Sequence, residues 1–544
     1  MKAGRTTATA AAAAFLSVAC AVVLRWLWSG VFLSEFQADT ADNLFWAAAQ
    51  REAGSLASPT FAYGYFIPLG GNLLIRPFLP VFGTGVTALR AGMTLFVPLF
   101  AFACYRLFRS FSWKRAESLF ATALLFAVAS ASLKMREIHF GHVLYYSLGT
   151  VFLFLGCALA PDVRGNGAGS PRRARILRGA LFALALGWAA SCGQPLLLYA
   201  VVPVLGAWVL VRLVDREPLA PAEDGLRILP GAVGAVVGLV LFKALSRGVC
   251  VSSGYNDYYE AFSPLASWFR NVQILPQEWI SLLEPLPRMR IAIASSTGLP
   301  HALRIATALF LGLAPVAALV RIRTFSVRER TFVVAHWILA SEILFYWIFG
   351  NISNANWRLC PLVLSATAVA ACLVRNGLAG TGVPVRRFAA CGAAFLFAFC
   401  VFSFVQTSTR RCERNTWRGP ETLLPTLERA GVRDGYCSDY WYANSATAVS
   451  GNRFRLREVR FNGKTGRWEP RLHNADARWY EPDPARTESV FVCHPNEEVR
   501  APTNGLRGRF ACIQKTARLG RPEPLVVRVY DGDCMNPARA SDEP

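Results

Sequence analysis

Long apolar runs alternate with short polar breaks through the first four hundred residues. A membrane-spanning helix needs about 20 mostly apolar residues, and the runs recur at that length. The pattern predicts about eleven spans, with cores near 10–33, 84–105, 117–133, 143–160, 178–193, 196–212, 228–246, 302–320, 331–349, 358–374 and 388–405. Beyond 405 the rhythm changes. Short runs such as Ser489-Val490-Phe491-Val492-Cys493 and 524–530, punctuated by Pro and Gly, predict strands, and 421–430 predicts a helix. The expected architecture is therefore an α-helical polytopic membrane protein, with a transmembrane domain over 1–405 and a small α/β soluble domain over 406–544.

The N-terminal run carries Lys2 and Arg5 and stays apolar to Leu33, interrupted only by Arg25. That is too long for the apolar core of a signal peptide and predicts an uncleaved first span. Composition agrees: 53% of the residues are hydrophobic and 17% charged, against about 25% charged in soluble chains.

A net charge of +22 would point to nucleic acid if the cations were clustered on one soluble face. They sit instead in short loops: Arg106, Arg109, Lys114 and Arg115; Arg164, Arg172, Arg173, Arg175 and Arg178; Arg321, Arg323, Arg328 and Arg330; Arg375, Arg386 and Arg387. With eleven spans these loops share one side, which the positive-inside rule makes cytoplasmic. The N-terminus lies with them and the C-terminal domain lies outside. No zinc, recognition-helix or phosphate-loop motif is present, so nucleic acid is not an expected partner. The Ala- and Arg-rich usage points to a bacterial inner membrane, with the domain in the periplasm. The tail carries Cys412, Cys437, Cys493, Cys512 and Cys534. Disulfides are permitted outside, but five is an odd number and the spacing fixes no connectivity.

Polar residues able to do chemistry concentrate in the opposite loops. The first, 34–83, holds Asp39 and Asp42 at the start of a predicted amphipathic helix. Either carboxylate can simply cap that helix. As a juxtamembrane pair, they can also deprotonate an acceptor hydroxyl or amine during displacement of a lipid phosphate. The second loop, 134–142, packs Arg136, Glu137, His139 and His142 into seven positions between apolar runs. Ionisable groups there are costly unless they are solvated or used. They are candidates for binding a phosphate or sugar hydroxyls, and a divalent metal is possible. A third cluster holds Asn354, Asn356 and Arg358 ahead of Pro361. Arg358 can snorkel to the interface or grip a lipid phosphate with two donors. Gln194-Pro195 marks a hairpin on the same side, and Tyr255, Asp257, Tyr258 and Tyr259 lie in a further long loop there.

The arrangement resembles the GT-C superfamily of integral-membrane glycosyltransferases. The resemblance is carried by layout and by short motifs. Asp42-Asn43-Leu44-Phe45-Trp46-Ala47-Ala48-Ala49 is similar to the family's acidic residue running into a juxtamembrane helix. Arg136-Glu137-Ile138-His139-Phe140-Gly141-His142 stands where the second polar motif belongs. Asn356-Trp357-Arg358 is similar to the late Arg motif at an outer helix start. The resemblance implies an inverting glycosyltransferase using a polyprenyl-phosphate-linked sugar and an envelope glycan, lipid or protein acceptor, with no soluble cofactor. The first loop lacks an adjacent Asp-Glu pair, so the base is Asp42 or Asp39. The second loop has Glu with His rather than an Asp-rich motif, which leaves metal dependence open. The competing readings are a transporter or flippase for a lipid-linked or small solute, and a noncatalytic envelope-assembly protein. Transport predicts charged groups at mid-membrane, where only Glu342, with His336 nearby, stands out.

Overall fold

The computed structural model describes residues 2–143, 145–161, 172–214, 221–251, 261–283, 291–296, 298–353, 355–380, 382–411, 423–481, 486–504, 506–515 and 522–535. Asn354, Arg164, Tyr255, Asp257, Tyr258, Tyr259 and Cys412 lie outside the described residues.

All eleven predicted apolar segments are helical. Nine helices among the described residues are long and apolar enough to cross a membrane, from Thr6–Trp28 to Val383–Thr409. The other two, Arg115–Ala129 and Tyr145–Leu159, have 15 residues each. At 1.5 Å per residue each rises about 22 Å, short of a hydrocarbon core of about 30 Å. The first turns through 113° into Leu133–His142, a broken span or re-entrant loop that raises the count to ten at most. The short helices are buried among their neighbours, and the polar 134–142 segment between them is folded into the bundle rather than left as a wet loop.

The cationic loops gather at one end of the bundle. Arg106, Arg109, Arg178 and Arg328 line one cleft there. Arg375 lies 3.8 Å from Glu117 and over the Trp113 ring. The aspartates, the 134–142 turn, Arg358 and the tail meet at the opposite end. This two-ended charge segregation is what the loop composition predicts.

Strands at that opposite end form two sheets. The strands are β1 (Phe61–Tyr63), β2 (Cys250–Val251), β3 (Asp434–Cys437), β4 (Arg455–Asn462), β5 (Arg467–Pro470), β6 (Ala475–Asp476), β7 (Glu488–Cys493), β8 (Leu506–Lys515) and β9 (Pro522–Asp531). The tail sheet has the order β5-β4-β3-β7-β9-β8. β4, β3 and β7 run parallel, and the outer pairings are antiparallel. Helices Leu423–Ala430 and Tyr440–Val449 cover one face through Leu427, Tyr442, Ala443 and Ala446, which pack on Leu456, Val490 and Val527. Cys437, Cys493 and Cys534 are free thiols buried in this domain. The tail is thus the expected small α/β unit, but it is not detached. In the second sheet, β1 of the first loop pairs with β2 on one side and with β6 of the tail on the other.

Candidate active site between the first loop and the tail

Helix Ala38–Glu52 begins four residues before Asp42, with Gln37 as its N-cap. Asp39 therefore lies in its first turn, and Asp42 is one turn further on the same face. Its apolar face is buried through Leu44, Phe45 and Trp46. Helix Tyr440–Val449 of the tail packs alongside. Asp439 caps that helix by accepting from the Trp441 amide at 2.7 Å, which puts Tyr440 at the helix start facing Asp42.

Asp42 is 1% exposed. Tyr440 donates to its Oδ1 at 2.9 Å and Tyr65 to its Oδ2 at 3.1 Å. Desolvation and then the charge of Asp39 push the Asp42 carboxyl well above the ordinary aspartate range, while the two phenols work the other way. Burial and the neighbouring carboxylates push both phenols up as well, so they remain protonated donors. Asp39 is half-buried. Desolvation raises it too; His142 and Lys134 lower it and Glu137 raises it. The two aspartates therefore differ: Asp42 has both oxygens engaged, and Asp39 is the more accessible.

The segment Glu137–His142 is a π-helix, a form common at functional sites. It ends at Val143 with φ of 44°, a conformation costly for a β-branched residue. Asn43 holds the turn in place by donating to the carbonyls of His142 and Val143. Gly71 closes over it; a Cβ there would lie 2.7 Å from the Val143 oxygen. His142 Nε2 lies 3.1 Å from Glu137 and 3.2 Å from the Gln37 amide. Lys134 reaches Glu137 at 2.8 Å and sits over the Trp357 ring.

The other candidates separate from this group. Arg136 is buried in a double contact with Glu35, at 2.7 and 3.3 Å, and donates to the Ser130 carbonyl. Arg410 and Trp26 share the same Glu35 carboxylate. His139 is fully buried, and neither ring nitrogen has a hydrogen-bond partner. Asn356 donates to Ser281 at 2.8 Å.

Arg358 lines a cavity of about 320 Å³ together with Tyr145, Tyr146, Tyr199, Glu342 and the Gln194-Pro195 hairpin. Tyr65 also lines it, and Tyr65 donates to Asp42. One side chain thus bounds both the membrane cavity and the carboxylate site. Its ring stands edge-on to Tyr145 and Trp46.

Among the described residues, no group of three or more His, Cys, Asp and Glu side chains is placed to hold a metal ion. Glu137 is engaged by Lys134 and His142.

Sequence reasoning missed Tyr65, Tyr145, Lys134, Tyr440 and Asn474. Asn474, at φ of 50°, accepts from Trp46 Nε1 at 3.0 Å and from the Gly64 amide at 2.8 Å. It fixes the tail against the first loop. The available signal was the aromatic Gly435-Tyr436-Cys437-Ser438-Asp439-Tyr440-Trp441 stretch, which matches no catalytic signature.

These features define a multi-pass membrane protein whose first loop and tail build a carboxylate site over a cavity between helices. The fold is similar to that of ArnT from Cupriavidus metallidurans in the apo state, with a TM-score of 0.53 and 14% identity over 96% of this chain and 98% of that one. ArnT from the same organism bound to undecaprenyl phosphate gives the same score and identity over 94% and 97%. An oligosaccharyltransferase of Archaeoglobus fulgidus in the apo form matches at 12% identity and a TM-score of 0.49, over 81% of this chain and 64% of that one. No protein-family description and no curated protein sequence matches the chain.

Proposed function

We propose that the chain is a membrane glycosyltransferase that moves a sugar from a polyprenyl-phosphate donor to an envelope acceptor. The observation that carries this reading is Tyr65, which bounds the Arg358 cavity and also donates to Asp42. The cavity offers what such a donor needs: apolar walls between helices for the prenyl chain and a guanidinium for the phosphate. The similar ArnT structure holding undecaprenyl phosphate supports the same choice of donor.

In the proposed step, Asp39 takes the proton from the acceptor hydroxyl or amine. The acceptor atom attacks the anomeric carbon from the face opposite the phosphate. The bond from that carbon to the phosphate oxygen breaks, and the electron pair leaves with polyprenyl phosphate, held by Arg358. Configuration inverts. Asp42 holds Tyr65 and Tyr440 in place, and Lys134 moderates the charge of Glu137 beside Asp39. The arginine-rich loops support a cytoplasmic location for the opposite end of the bundle, and on this reading transfer takes place on the outer face, in the periplasm of a bacterial inner membrane.

Mass spectrometry on protein purified in native-like lipid tests the reading. Wild type should carry a polyprenyl-phosphate sugar and consume it on addition of membrane extract. The Asp39→Asn/Asp42→Asn variant should carry it without consuming it. A donor consumed by neither protein would indicate carriage or flipping. Consumption by the variant would remove the chemical centre of the proposal.

A further inference from the structure

A second cleft of about 320 Å³ lies in the tail and shares no lining residue with the membrane cavity. Asp434, Arg455, Arg457, Arg478, Trp479 and Arg486 are among its lining residues. Three of the four arginines are already matched with acids. Arg455 lies 2.6 Å from Asp434, Arg478 lies 2.7 Å from Asp476 and 3.5 Å from Glu52, and Arg486 lies 2.8 Å from Asp533. Arg457 differs. Its guanidinium lies 3.8 Å above the Trp479 ring, and it makes no ion pair among the described residues. Desolvation, the largest influence on it, brings it down to about 10. Phe45 and Phe61 of the first loop support the Trp479 ring edge-on, so the platform beneath Arg457 is rigid. The Nε of Arg486 is buried with no hydrogen-bond partner.

A half-buried guanidinium without a counter-ion is costly unless an anion arrives to match it. Each guanidinium has five N–H donors, and a single carboxylate partner leaves several free. Donors converging from several arginines suit an oxyanion with acceptors in more than two directions, which a phosphate has and a carboxylate lacks. We propose that this cleft binds a phosphate monoester, with Arg457 as its principal cation and Arg455, Arg478 and Arg486 as its rim. Glu52 ends the helix whose first turn holds Asp39. Trp479 of the cleft packs on Phe45 of the same helix, but the cleft and the Arg358 cavity share no lining residue, so the cleft is a different site from the one proposed to hold the reacting phosphate of a donor. The inference stands apart from the proposed transfer and does not need it.

The test uses the full chain in phosphatidylcholine nanodiscs, titrated calorimetrically with glucose 6-phosphate and with glucose. A parallel arm compares thermal stability in discs with and without phosphatidic acid, which presents the same monoester as a lipid head group. Glucose 6-phosphate should bind and glucose should not. Arg457→Gln should weaken binding at least tenfold, Arg457→Lys less, and Asp39→Asn should leave it unchanged. Should Arg457→Gln not fold, Arg478→Gln, which alters an exposed rim residue, should weaken binding severalfold. Stabilisation by phosphatidic acid alone, dependent on Arg457, would support the site and identify a membrane head group as its ligand. No binding in either arm, or equal binding by Arg457→Gln, would overturn it. Donor consumption by wild type is read separately and tests only the transferase.

Discussion

Replacing Tyr440 with Phe removes one oxygen atom and little else. That oxygen donates to Asp42 at 2.9 Å from a residue 398 positions away, and both partners are buried. A hydrogen bond to a charged group contributes about 1.5–3 kcal/mol, and one between neutral groups about 0.5–1.5 kcal/mol. The Asp42 carboxyl already sits well above its ordinary range. Its charged form is the one the phenol favours, so losing the phenol pushes the carboxyl higher still, by about one unit per 1.4 kcal/mol. The sign follows: the variant should lose about 2 kcal/mol where Asp42 is ionised and less where it is protonated, so the penalty should not shrink as pH rises. Unfolding of the full chain in mixed micelles, titrated with a denaturing detergent over a range of pH, measures the difference. A double-mutant cycle with Asp42→Asn isolates the pair and should give a coupling of about 1–2 kcal/mol. A coupling below about 0.3 kcal/mol, or a penalty that falls as pH rises, would refute the proposed tie between tail and carboxylate.

Three further substitutions probe other parts of the structure. Arg358→Gln should cut retention of the lipid-linked donor by about tenfold or more, the equivalent of a charge-assisted hydrogen bond, as read by co-purified lipid per protein; undiminished donor would move the phosphate elsewhere. Glu458 is buried beside Arg471, and desolvation, the largest cause, raises its carboxyl to about 7. A raised carboxyl destabilises the fold as pH climbs from about 4.5 through 7, by up to about 3 kcal/mol at 1.36 kcal/mol per unit. His473, lowered to about 4 mainly by desolvation, acts in the opposite direction, so the informative quantity is the wild type minus Glu458→Gln stability gap. That gap should shift in favour of the variant between pH 5 and 7.5, and a gap independent of pH would contradict the assignment. Gly71→Ala drives a methyl to within 2.7 Å of the Val143 carbonyl. It should destabilise by about 1–3 kcal/mol, and faster proteolysis in the 134–143 segment would show where the damage lies.

The spans were legible because apolar periodicity is a local signal, and every predicted run became a helix. The two 15-residue helices show where that signal ends: hydropathy finds the run, whereas the bend at 130–132 depends on packing. Asp39 and Asp42 were legible as a pair, but their division of labour was not. It depends on Tyr65 and on Tyr440, and nothing near Asp42 in sequence foretells a phenol nearly four hundred residues on. The same holds for Arg136. In sequence it belongs with Glu137 and the histidines, whereas in space Glu35 captures it, because the end of the first span returns beside the 134–142 turn. Asn474 carries no motif at all; its role comes from a left-handed backbone that lets one side chain meet Trp46 and Gly64 together.

The pairing of β1 with β6 also has a consequence for biosynthesis. A ribosome adds about 5–20 residues per second, so Tyr440 emerges roughly 20 to 80 s after Asp42. Throughout that interval the first loop lacks its third strand, and Asp42 lacks one of its two phenols. The carboxylate site is finished only when nearly the whole chain has been made and the tail has folded against the loop. A nascent or truncated chain therefore holds an incomplete site, and completion of the site reports that synthesis of the tail has succeeded.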